Sequence, residues 1–177
     1  MAWTAPAVFT DGSILTGAQM NAISANLNET APAKATTAGG FIMTQGANTV
    51  VQRDAASNTV NASSAVTSTS YIALSGAELI NVVSGARVIL WMTAQVNNSL
   101  ANIESIMSVA VSGATTTAAD DNVAVSNQSA TAFSDVTVSR CVRLTVTAGT
   151  NTYTPMYRVG AASTGNFRRR SFVAIPQ

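Results

Sequence analysis

The chain has 177 residues, enough for one good-sized domain with an arm attached. Charged residues are 10% and aromatics 6% against 47% hydrophobic, where globular chains average about 25% charged. Its surface must therefore be covered by Thr, Ser, Asn and Ala, which suits a subunit buried on neighbours better than a monomer kept soluble by charge. A net charge of +1 excludes bulk electrostatic attraction to nucleic acid or membrane. The absence of histidine removes Ser-His-Asp and Cys-His nucleophiles and imidazole metal sites. The single cysteine, Cys141, allows neither an intrachain disulfide nor a Cys-based metal site, and is read as a small buried or half-buried strand residue.

The start has no basic flank before an apolar core, so no signal peptide is expected. No apolar run nears the roughly 20 residues of a membrane span. The first element is a helix over residues 16–29. Thr16 is its N-cap, Gln19 completes a capping box, and Leu15 with Met20 forms a hydrophobic staple. Met20, Ile23 and Leu27 recur at spacings of three and four, on one narrow face. A helix this short is marginal alone in water, so that stripe must pack on something. Pro32 ends it. Gly39-Gly40, the apolar Phe41-Ile42-Met43, the turn signal Gln45-Gly46-Ala47-Asn48 and a short strand over 49–53 complete an arm of residues 1–53. Residues 54–70 are Ser, Thr, Asn and Ala with almost nothing large, and read as a polar spacer.

From Tyr71 the period changes to two. Strands are expected near 71–74, 78–83, 87–96, 103–112, 122–126, 136–147, 152–159 and 167–175. The clearest alternates Val136, Val138, Val142, Leu144 and Val146 with Thr137, Ser139, Arg143 and Thr145. Arg140 falls on its apolar phase, which a bulge, a paired arginine or a subunit contact would each explain. Eight strands in some 110 residues predict a mainly β fold, an antiparallel sandwich of jelly-roll type over 71–177.

Two stretches resemble known proteins. Trp3 and Pro6, then Phe9, Gly12, Leu15, Thr16 and Asn21, Asn26-Leu27, Thr30 to Thr36, Ala38-Gly39 and Thr44 to Asn48 resemble the opening of small virion proteins of tailed bacteriophages. The ending, through Tyr153, Tyr157, Gly165-Asn166-Phe167 and Phe172-Val173-Ala174-Ile175-Pro176, is similar to the last strands of complement-globular and tumour-necrosis-factor-like jelly rolls. The second resemblance implies a homotrimer. The first implies a virion component made and assembled in the host cytoplasm. It would dock to other virion proteins, of tail or capsid, through Trp3, Phe9, Leu15, Met20, Ile23 and Leu27.

The expected function is a structural, non-enzymatic virion subunit without cofactor or metal, a trimeric short fibre or tail appendage whose outer partner would be the host surface and its glycans. The alternative is a capsid decoration protein or head fibre. An enzyme would be a carboxylate-dependent glycan hydrolase of a tail spike, but the only adjacent acids, Asp120-Asp121, lie in a polar loop and read as a solvated turn. Trp91, in the densest apolar strand, is expected in the core or at the trimer interface. Arg168, Arg169 and Arg170 are the sharpest charged feature. In a regular strand Arg168 and Arg170 would face one way, either guarding an edge and bridging subunits or forming a basic ring toward an anionic partner.

Overall fold

The computed structural model describes residues 16–28, 40–46, 49–76 and 79–177. The chain divides into two compact units, Met1–Asp54 and Ala55–Gln177.

In the first unit, α1 spans Gly17–Asn28. Its capping box is closed in both directions. The Thr16 N–H donates to Gln19 Oε1 at 2.9 Å, and the Gln19 N–H donates to Thr16 Oγ1 at 3.3 Å, so two N–H groups without intrahelical acceptors gain partners. Met20 and Leu27 stay 52% and 61% exposed and Ile23 is half-buried. Leu15, Trp3 and Phe9 lie outside the described residues. Strands β1 (Phe41–Gly46) and β2 (Thr49–Arg53) pair antiparallel, with Gly46 opposite Thr49; Ala47-Asn48 of the expected turn lie outside the described residues.

The second unit holds ten strands: β3 (Ala56–Val60), β4 (Ser64–Val66), β5 (Ile72–Ala73), β6 (Leu79–Ser84), β7 (Arg87–Asn98), β8 (Glu104–Gly113), β9 (Val125–Gln128), β10 (Val136–Thr145), β11 (Gly149–Val159) and β12 (Gly165–Pro176). One sheet runs β10-β7-β12-β3, with β4 continuing on the β3 side of β12; the other runs β5-β11-β8-β9, with β6 also on β11. Every pairing is antiparallel. This order, with neighbours far apart in sequence, is that of a jelly roll.

Three expectations change. Residues 54–70, read as a spacer, supply β3 and β4, which pair with the last strand. Their small side chains hid a strand whose backbone is fixed by long-range pairing rather than by propensity. The strand expected over 122–126 starts later, because Asp120 caps a 3-10 turn at Asp121–Val123 by accepting the Asn122 N–H at 2.5 Å. Cys141 is exposed, since it falls on the outward phase of β10.

The core lies between the sheets. Val88, Leu90, Met92, Ala94 and Val96 of β7, with Phe167, Phe172 and Ala174 of β12, meet Met107, Val109 and Val111 of β8 and Tyr153 and Tyr157 of β11. Tyr157 and Phe167 pack edge to face across the sandwich, with centroids 4.9 Å apart. Pro155 sits inside β11, opposite Val109. On the other side of β11, β6 pairs up to Tyr153 and β5 begins at Met156. The missing N–H of Pro155 therefore falls in a gap where no ladder bond is lost.

The strands also set a polarity. Ala56 pairs with Ala174, and Val88 with Pro176, at one end, the base; Gly165 pairs with Asn98 and Val66 at the other, the apex. The chain enters the sandwich at the base.

Candidate functional site

The outer face of the β10-β7-β12-β3 sheet is built by alternation. Residues 88, 90, 92, 94 and 96 of β7 point into the core, so Ile89, Trp91, Thr93 and Gln95 point out. Trp91 stands opposite Cys141 on β10 and Val173 on β12, and Thr93 opposite Ser139 and Ser171. Trp91 is 54% exposed. It is thus not core, and its indole N–H donates to Ser139 Oγ at 2.6 Å. Ser139 also bonds Thr93 Oγ1 at 3.0 Å, and Thr59 Oγ1 bonds Ser171 Oγ at 3.3 Å. The centre of this face is an aromatic ring among hydroxyls and aliphatic side chains, with its charges toward the rims: Arg87 and Arg143 near the base and Arg168 toward the apex.

The three consecutive arginines do not form one cluster. A bulge shifts the register of β12 between Arg168 and Ser171, and Arg169 takes φ +48°. One extra residue puts Arg168 and Arg170 on opposite faces, against the alternation expected of a regular strand. Arg168 lies on the outer face, ion-paired to Asp135 and donating to Gln95 Oε1 at 3.1 Å. Asp135 also accepts from Asn97 Nδ2 at 2.7 Å. Arg169 is exposed. Arg170 is 2% exposed, inside the sandwich. Its guanidinium lies 5.4 Å from the Tyr157 ring centroid and donates to Ser64 Oγ at 3.3 Å, while its Nε and Nη1 find no acceptor among the described residues. The sequence had no signal for this, because the inserted residue is itself an arginine.

Arg140, on the inward phase of β10, is satisfied by backbone. It donates to the carbonyls of Asn122, at 2.7 Å, and Ala124, closing the C-terminal side of the 3-10 turn. Asp121 of the same turn accepts from Arg158 Nη2 at 2.7 Å and from the Tyr71 hydroxyl at 2.5 Å, and Arg158 lies over the Tyr71 ring. The Tyr71 and Arg158 bonds hold the Asp121 carboxyl below its ordinary range. Burial, then the bond to Asp121, pushes the Tyr71 hydroxyl up to about 12. Asp120 is occupied as the cap. Asp121 therefore fastens the turn to β11 while Asp120 shapes it, and no group of three metal-ligating side chains lies together among the described residues.

The strand order and the two-layer core define a jelly-roll β-sandwich. No family model and no curated protein matches the chain, so the virion reading of residues 1–53 rests on its own motif. Among solved structures, the Eiger TNF of S. frugiperda superposes with a TM-score of 0.51 at 9% identity, covering 70% of this chain and 91% of that one. The structure of infectious bursal disease virus, Gx strain, gives a TM-score of 0.45 at 10% identity, covering 72% of this chain and 34% of the other. At such identities the likeness to the first is one of fold alone.

Proposed function

We propose that the chain is a structural, non-enzymatic subunit of a tailed-phage particle: a homotrimer of jelly rolls, forming a short fibre or tail appendage, held to the virion by residues 1–53. The observation that supports it best is the sheet face around Trp91. A half-exposed tryptophan at the middle of a weakly charged, hydroxyl-lined face is a surface made to be covered. Covering the exposed half of that ring removes on the order of 100 Å² from water, worth about 2–3 kcal/mol per subunit. The exposed Met20 and Leu27 of α1 support docking of the arm through its helix stripe.

Light scattering tests the assembly: the intact protein should run at three times its 18.1 kDa, and Trp91→Glu should run as a monomer. A stable wild-type monomer at micromolar concentration overturns the reading. Quantitative mass spectrometry of purified particles tests the position. A few to a few dozen copies mark a tail or vertex, whereas several hundred would move the subunit to the shell as a decoration protein.

A further inference from the structure

Four described non-glycine residues have positive φ: Asn81, Asn102, Phe133 and Arg169. Asparagine tolerates this conformation, whereas a bulky side chain adopts it only under strain. Arg169 is explained by the bulge. Phe133, at φ +56°, is 64% exposed, so burial of its ring in the core does not account for it. Strain held in place by surrounding structure, at a side chain the core does not use, points to function.

Phe133 lies at the apex, in the β9–β10 loop, residues 129–135. The neighbouring β7–β8 loop, residues 99–103, carries Leu100, 50% exposed. Asn98 ties the two together. Its backbone carbonyl accepts the Phe133 N–H at 2.7 Å, and its side-chain oxygen accepts the Leu100 N–H at 3.0 Å. The Asn102 N–H donates to the Ser129 carbonyl at 2.7 Å, and Gln128 Nε2 to the Asn102 carbonyl at 2.8 Å. The adjacent β11–β12 loop is stitched to the same place, Thr164 N–H to Ser99 Oγ at 2.9 Å and Ser99 N–H to the Thr164 carbonyl at 2.8 Å. The tip is therefore preorganised. Its loops also carry no cation: across residues 67–71, 99–103, 129–135 and 160–164 the one charged side chain is Asp135, which Arg168 neutralises, and Glu104, next after the β7–β8 loop, adds a carboxylate beside Gly160.

We infer that the apex, through Phe133 and Leu100, is a binding site for a neutral glycan; this rests on the proposed outward-facing appendage. The occupant follows from charge and size. Loops without Arg or Lys, beside the Glu104 carboxylate, have no complement to offer an anionic glycan or an acidic lipid surface. Two half-exposed side chains present on the order of 200 Å² of apolar surface, far below the roughly 800 Å² per partner of a stable protein interface. That area matches the C–H face of one or two sugar rings. The exposed Asn102 and Thr131 of the same loops supply an amide and a hydroxyl for sugar hydroxyls. Weak single sites repeated on three subunits gain by avidity. The apex is also the end away from Ala55, where the preceding chain joins.

The full-length protein should be tested on an array of immobilised neutral oligosaccharides of glucose, galactose, mannose and N-acetylhexosamine, beside sialylated and sulfated ones. Wild type should bind at least one neutral glycan, with little change between 50 and 500 mM salt. Phe133→Gly should lose at least tenfold in binding while melting no lower than wild type, since glycine adopts this φ without strain. Phe133→Tyr should retain binding. Binding confined to anionic glycans, unchanged binding by Phe133→Gly, or no neutral glycan bound overturns the inference. So does adsorption of wild type to host cells that is abolished by protease treatment of the cells, which would mean a protein receptor. Oligomeric state and particle incorporation of the same variants are read separately: their failure in wild type counts against the proposed appendage, and loss of glycan binding with both intact isolates the tip.

Discussion

At the scale of single residues the informative side chains are those whose burial and charge conflict. Arg170 is a guanidinium in the core whose described contacts are one hydroxyl and one aromatic face. Removing such a charge in favour of an apolar side chain of similar length is often neutral or stabilising, because no desolvation has to be offset. Arg170→Met should therefore melt at or above the wild-type temperature. Arg170→Ala, which leaves a cavity, should cost about 2–5 kcal/mol by denaturant titration. Tyr71 makes a prediction in pH. Its hydroxyl is raised from 10.0 to about 12, so the folded state favours the protonated phenol. The stability this gives is fully present below about pH 10 and disappears as pH rises toward about 12. Asp121 has the opposite sign: its carboxyl is depressed, so its contribution is present above the ordinary carboxylate range and fades as pH falls through the lowered value. Melting temperatures of wild type and Tyr71→Phe should differ most near pH 8 and converge as pH rises to 12, the mutant losing less on the alkaline side.

At the scale of elements the bulge in β12 decides which side chains line the core. N-terminal to it Phe167 faces inward, and C-terminal to it Phe172 does. Those positions are five apart, which uninterrupted alternation cannot place on one face. Deleting Arg169 should turn half of β12 over and abolish the cooperative melt, whereas Arg169→Gly, at φ +48°, should keep the fold and gain about 1 kcal/mol by relieving the left-handed backbone. The same element shows what was legible beforehand. Apolar and β-branched runs revealed β7, β8, β10, β11 and β12, with period two clearest in β10, where Val138, Val142 and Leu144 face inward and Ser139, Arg143 and Thr145 outward. The capping box of α1 was legible from Thr16 and Gln19, a local signal with a local partner. Strands β3 and β4 were not, because Ala, Ser and Asn carry little period and owe their conformation to β12, a hundred residues away. The bulge was hidden by three identical side chains, and the strained Phe133 by the fact that backbone angles leave no mark in composition.

At the scale of the molecule the boundary matters. The sandwich begins at Ala55, so a fragment of residues 55–177 should fold, melt cooperatively and fail to join particles. A fragment of residues 71–177 lacks β3 and β4 and leaves one side of β12 unpaired, an open edge that invites aggregation. Circular dichroism and sedimentation of the two fragments test this directly: a well-folded 71–177 would mean that the first two strands are dispensable.

The polarity of the sandwich bears on how the protein could carry cargo. The chain enters at the base, and its last residue stays there too: the Gln177 N–H donates to the Arg87 carbonyl at 2.9 Å, and the Gln177 carbonyl packs so closely on Gly85 that no side chain fits at that glycine. A peptide fused after Gln177 would therefore leave beside the incoming chain, at the end opposite the apical loops. A label or epitope meant for display at the apex belongs inside residues 160–164, whose Gly, Ala and Ser are largely exposed and whose two flanking strands are each held along their whole length.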